Sequence, residues 1–249
     1  MLNFGAGALF ATRNDIAGQT PLQFAALQDV TWDLSFEEKP LLGTGQFPIT
    51  VARGAAKWGG KAKWGTVSAQ LFNNLFFGQS LATGQTVPAV NEPHTLASST
   101  TTQTAYATNS STFKQDEGVS YAGPLALPLT MTTGTPAASG QYKVSTTGLY
   151  TFSSTESAVV WFNYLYTTAT GETVTLTNQL LGSTPTFSGV FRNRDPLTGL
   201  FNTLIINKMT CSKLTLGSKT SDFTISEMDL SVMDDGTGNI GTYSVGDLS

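Results

Sequence analysis

Between Leu27 and Trp64 the side chains alternate, and this period of two constrains the fold more than any other feature of the sequence. In LQDVTWDLSFEE, Val30, Trp32, Leu34 and Phe36 share one face, while Thr31, Asp33, Ser35 and Glu37 share the other. That is the pattern of a β-strand with one buried face. KPLLGTGQF follows, and its Pro and Gly residues predict a loop between strands. FPITVAR predicts a second strand, with Pro48 tolerated at its start. GAAKWGGKAKWG, residues 54–65, alternates again. Lys57, Gly59, Lys61 and Lys63 fall on one side and Trp58, Gly60, Ala62 and Trp64 on the other. A strand sorts these residues by chemistry, whereas a helix would scatter them.

One segment changes period. In SAQLFNNLFFG, Leu71, Leu75 and the neighbouring Phe72 and Phe76 recur at helical spacing, and Gly78 predicts a C-terminal stop. Residues 1–22 are Gly/Ala-rich and read as an N-terminal arm, without the basic front end of a secretory signal. Residues 83–141 read as a loop or hairpin excursion, because eleven of the eighteen residues in Thr95–Thr112 are Ser or Thr. SAVVWFNYLYTT, apolar on both faces, predicts a central strand. PTFSGVFRN and LFNTLIINKM predict two strands around the turn RDPLTG. Phe223 and Ile225 are out of phase with Met228, Leu230 and Val232, which predicts a β-bulge near Ser226–Glu227. Residues 234–249 read as a Gly-rich C-terminal arm. The sum, about eight to ten strands and one short helix, predicts an all-β, sandwich- or barrel-like fold in a single domain, residues 1–249.

Only 12% of the 249 residues are charged and 40% are hydrophobic. That is too apolar for a disordered chain. No window approaches the ~18 consecutive apolar residues of a membrane-spanning helix, so no membrane partner is expected. The lone Cys211 excludes an internal disulfide and predicts a small buried hydrophobe. Charge is segregated. Arg53, Lys57, Lys61 and Lys63 stand together, whereas Asp222, Glu227, Asp229, Asp234, Asp235 and Asp247 lie in a stretch with no base.

Catalytic and cofactor motifs are not found. A P-loop needs Gly, four residues, then Gly-Lys-Ser/Thr, but Ala55 and Ala62 stand where the first Gly and the hydroxyl belong. Lysines and tryptophans on opposite faces cannot jointly grip a nucleotide. His94 sits in NEPHTL, read as a surface loop without carboxylates at metal-ligand spacing. Glu37 and Glu38, adjacent in a strand, face opposite sides, which is poor geometry for an acid–base pair. Nothing resembles a nucleophile elbow. No enzyme activity, cofactor or metal is expected.

LQDVTWDLSFEEKPLLGTGQFPITVARGAAKWGGKAKWGTVSAQLFNNLFFG resembles the N-terminal half of the major tail tube proteins of long-tailed, non-contractile bacteriophages. GQYKVSTTGLYTFSS, NQLLGSTPTFSGVF and SKLTLGSKTSDFTISEMDLSVMDDGTGNIGTYS stand in the order that family would give. Residues 83–112 lie outside the resemblance. It implies a structural virion protein that forms hexameric rings, stacked into a tube through which the tape measure protein and then DNA pass. The implied partners are further copies of the chain, the tape measure protein, the tail terminator and the distal tail proteins, with DNA in transit unbound. The implied location is the virion tail, reached from the host cytoplasm. Six subunits each giving four lumen strands would enclose a barrel roughly 50 Å across.

Two site expectations follow. Asp29, Asp33 and Glu37 are candidate lumen residues that would keep DNA phosphates from sticking, or else form a plain solvent or ring-interface face. Lys57, Lys61 and Lys63 are expected to meet acids of another subunit, with Asp234, Asp235 and Asp247 as candidates. The alternative readings are a carbohydrate-binding β-sandwich with exposed aromatics around a groove, a capsid decoration protein, and a contractile-tail or secretion-system inner tube. The 83–141 excursion is expected to bridge subunits or to decorate the outside.

Overall fold

The chain is all-β, with one α-helix among the described residues. The computed structural model describes residues 5, 7–66 and 68–246. In order, the elements are β1 (Ala8–Arg13), β2 (Leu22–Gln23), β3 (Leu27–Leu42), β4 (Pro48–Trp64), α1 (Ala69–Phe76), β5 (Leu81–Thr95), β6 (Gln103–Tyr106), β7 (Phe113–Tyr121), β8 (Thr130–Met131), β9 (Gln141–Val144), β10 (Leu149–Phe152), β11 (Val159–Val174), β12 (Phe187–Arg194), β13 (Phe201–Thr215), β14 (Ser226–Val232) and β15 (Gly241–Val245). They form two compact units instead of the single domain expected. Unit 1 joins the segment up to Ser80 with the segment from Val174, and unit 2 is Leu81–Thr173.

Unit 1 is one sheet in the order β2-β1-β12-β13-β14-β4-β3, with β15 alongside β13. Only residues 24–26 connect β2 at one end of this order to β3 at the other. Four Cα steps reach at most ~14 Å, whereas six strand spacings in a flat sheet would cover ~29 Å. The sheet is therefore rolled, with its ends drawn together at Phe24, and it is barrel-like. Its inner face holds Leu9, Ala11, Ala62, Trp64, Phe187, Ile206, Met209, Met228 and Leu230, and Leu71 and Leu75 of α1 pack against them. The ring of Phe24 meets Trp64 edge-on, with centroids 5.3 Å apart. The helix begins where Ser68 Oγ accepts the Leu71 N–H at 3.1 Å. It ends where the Gly78 N–H returns to the Asn73 carbonyl at 2.7 Å with Gly78 at φ +63°, as the sequence predicts.

Three expectations for unit 1 need correction. The stretch read as an N-terminal arm contains β1, which pairs with β12 and buries Leu9, Ala11 and Arg13. Its small residues fit a crowded sheet interior. In the stretch read as a C-terminal arm, Gly241–Val245 pairs with Asn202–Ile206 of β13. No bulge lies in β14. Its register with β4 is unbroken from Ser226 to Ser231, and the irregularity falls on β13 between Cys211 and Lys213. Phe223 and Ile225 are exposed before the strand begins, so their phase has no bearing on it.

Unit 2 is a sandwich of two sheets, β5-β11-β7 and β6-β10-β9-β8. The segment read as a loop or hairpin excursion thus supplies strands of a packed domain. Tyr142, Tyr150 and Phe152 from one sheet and Val119, Val160, Phe162 and Tyr164 from the other share a single core. Tyr150 stacks on Phe162 at 4.0 Å between centroids. Polar ties cross the same gap. Asp116 on β7 accepts hydrogen bonds from the Tyr142 and Tyr150 hydroxyls at 2.6 and 2.7 Å. The two ends of the unit lie side by side, since Thr173 Oγ1 donates to the Gly84 carbonyl at 2.7 Å.

Candidate functional site

The longest strands of unit 1, β3 and β4, are exposed over much of their length. They pair along their length from Leu27–Trp64 to Leu42–Pro48, so the strand continues through KPLL and only residues 43–47 turn. β14 flanks β4 over Gly59–Trp64 alone. Beyond that point, from Leu34 to Trp58, the two strands form a ribbon with both edges open among the described residues. The burial expected for one whole face of β3 reaches only Val30 and Trp32; Leu34 and Phe36 are exposed. The far end is apolar. Leu41, Leu42, Phe47, Ile49 and Val51 are all exposed, Phe47 at 84%. Closer in, the Arg53 guanidinium lies 4.6 Å over the Phe36 ring.

At the base of the ribbon, Trp32 and Trp58 meet edge-on at 6.5 Å. With Val30, Leu34, Phe191, Leu204 and Tyr243 they line a cleft of about 620 Å³, with Asn193 and Asn202 as polar groups. The Trp32 indole N–H is buried there without a hydrogen-bond acceptor among the described residues.

The opposite face of the same strands is polar. Directly paired residues share a face, so Asp29, Thr31, Asp33 and Ser35 stand beside Lys63, Lys61, Gly59 and Lys57 respectively. Glu227 and Asp229 of β14 flank Lys63 and Lys61 from the other side. Sorting of Lys from Trp across β4 is as the alternation predicts. Lys63 Nζ lies 3.7 Å from Glu227 and 4.0 Å from Asp29, and Lys39 lies 3.9 Å from Glu37. The acids beside Lys63 belong to its own chain. Asp234 and Asp235 are occupied elsewhere. Asp234 Oδ1 accepts the Gly236 and Gly238 N–H groups. Asp235 accepts from Thr237 and from Asn207 Nδ2, and these hydrogen bonds hold its carboxyl down at about 2. Asp247 lies outside the described residues. The candidate lumen residues Asp29, Asp33 and Glu37 do share one face, but lysines stand beside it.

Other residues singled out in the sequence have settled places. His94 is in β5, not a loop. It stacks on Phe162 at 3.9 Å, and its Nε2 lies 2.7 Å from Glu92 Oε1. Cys211 packs half-buried against the unit 1 core, and burial pushes its thiol up to about 12. Glu156, which sequence reasoning missed, is buried in unit 2. It accepts from the Gly140 N–H, Ser139 and Tyr121 at 2.7, 2.9 and 3.1 Å. Nothing in the local pattern of SSTESA marks it, because its donors lie far away in sequence. The tyrosines Tyr142, Tyr150 and Tyr164 are buried in the core, whereas Tyr106 and Tyr243 are exposed. Among the described residues, no group of three or more His, Cys, Asp or Glu could hold a metal ion. No known family model matches the sequence, and no curated protein matches it.

Proposed function

We propose that the chain is a self-assembling structural subunit of a bacteriophage tail tube, forming hexameric rings that stack around a bore for the tape measure protein and DNA. Such a tube meets a tail terminator at one end and distal tail proteins at the other. It works in the virion tail after assembly in the host cytoplasm. The observation that carries this reading is the open ribbon of β3 and β4. An isolated two-stranded ribbon is marginally stable in water, and its open edges and apolar end are a template for another chain. Leu41, Leu42, Phe47, Ile49 and Val51 would together gain about 8–15 kcal/mol on full burial. Association costs about 4–15 kcal/mol. One contact is therefore weak, and a closed ring with several contacts per subunit is favoured. The aromatic cleft at Trp32 and Trp58 is a different surface from the ribbon's end. A ribbon-to-cleft contact is consequently heterologous and propagates from copy to copy.

The test is negative-stain electron microscopy of the concentrated protein beside the variant Phe47→Ser/Ile49→Ser. We expect rings or tubes from the native chain and single particles from the variant, with the same melting temperature for both at a dilution where neither assembles. Tubes formed equally by the variant would remove the ribbon from the argument. Single particles from the native chain at every concentration would overturn the reading.

A further inference from the structure

The polar face of the unit 1 sheet carries its charge in stripes. β3 presents Asp29 and Asp33, β4 presents Lys57, Lys61 and Lys63, and β14 presents Glu227 and Asp229. Lys213 of β13 follows, opposite Asp229. Lys63 is bracketed by Glu227 at 3.7 Å and Asp29 at 4.0 Å. Lys61 has Asp229 across one strand boundary and Thr31 across the other. Gly59, lacking a side chain, leaves a depression of about 440 Å³ walled by Lys57, Lys61, Asp33 and Asp229.

Taken alone, β4 is a polyanion track. Residues two apart on a strand stand about 6.8 Å apart, which is the rise of two nucleotides along one DNA strand. Lys61 and Lys63 fit that step, and Lys57 lies two such steps further along. The flanking carboxylates alter what a phosphate encounters. They lie one strand spacing away, within the ~8 Å screening length of physiological salt, so attraction to the ammonium groups and repulsion from the carboxylates arrive together.

We propose that Asp29, Asp33, Glu227 and Asp229 neutralise the Lys57–Lys61–Lys63 track, so that this face meets duplex DNA without retaining it. The proposal rests on the tail tube reading only for the expectation that DNA passes this surface. It replaces simple repulsion by an acidic face with cancellation inside one sheet.

The experiment measures fluorescence anisotropy of a labelled mixed-sequence DNA duplex titrated with native protein and with Asp29→Asn/Asp33→Asn/Glu227→Gln/Asp229→Asn. These changes keep side-chain size, and circular dichroism checks the fold; the milder pair Asp29→Asn/Glu227→Gln serves if four changes are too many. The native chain is expected to show no salt-sensitive binding. The fourfold variant should bind at least ~10-fold more tightly at low salt. Three lysine–phosphate contacts would lose about 40-fold in affinity between about 50 and 200 mM salt. Adding Lys57→Gln/Lys61→Gln/Lys63→Gln should cancel the gain. The proposal is overturned if the acid-free variant binds no better than the native chain, or if the gain survives loss of the lysines. Microscopy of the same samples scores tubes separately. A gain in DNA binding without tubes fails the tube reading alone, and tubes without a gain fail the neutralisation alone.

Discussion

Glu156 is a buried carboxylate whose surroundings oppose one another. Burial pushes its pKa up, but hydrogen bonds from the Gly140 N–H, Ser139 and Tyr121 outweigh burial and hold it below the usual Glu value. Glu92 behaves alike: burial raises it, while bonds from Tyr164, His94 and Thr108 win. A carboxyl depressed in the folded state contributes stability that is complete above its unfolded pKa and lost as pH falls through the folded one. The melting temperature of unit 2 should therefore hold steady near neutrality and fall as pH drops below about 4.5. Glu156→Gln should start lower at neutral pH and decline less on acidification, with the remaining slope belonging to Glu92. A thermal melt series from pH 7 to about 3 reads this directly. Equal acid slopes for the two proteins would assign the dependence to other groups.

Among the elements, α1 is the one whose ends are specified locally. Ser68 accepts the Leu71 N–H at 3.1 Å, so Ser68→Ala should cost about 1 kcal/mol. Calorimetry should register about 2–4 °C for a unit of this size. The same locality explains what could be read before the structure. Helix α1, the turn after Arg194 and the Lys/Trp sorting of β4 each depend on residues near in sequence. The ribbon was readable as two strands but not as exposed, because Leu34 and Phe36 obey the alternation of buried residues although they are exposed. β1 was missed because its burial alternates while its chemistry does not: Leu9, Ala11 and Arg13 on one face are no more apolar than Ala8, Phe10 and Thr12 on the other. β6 was hidden because Ser and Thr suit strands and loops alike. The cross-strand acids beside Lys63 depend on register, which residue spacing does not reveal.

At the scale of the whole molecule, unit 2 is an insertion between α1 and β12. It has its own aromatic core, and its first and last strands, β5 and β11, are neighbours in one sheet. Residues 81–173 expressed alone should fold, giving a dispersed amide spectrum and a cooperative melt. The remainder, closed by a short Gly-Ser linker, should keep the unit 1 melt. Aggregation of either piece, or loss of its cooperative transition, would mean that the two cores depend on each other. The bond from Thr173 Oγ1 to the Gly84 carbonyl at 2.7 Å marks the neck of this insertion. Any foreign domain whose two ends lie one strand spacing apart meets the geometric requirement of that neck. The neck is thus a graft port, and a scaffold that polymerises would array such cargo at high valency, where avidity replaces single-site affinity.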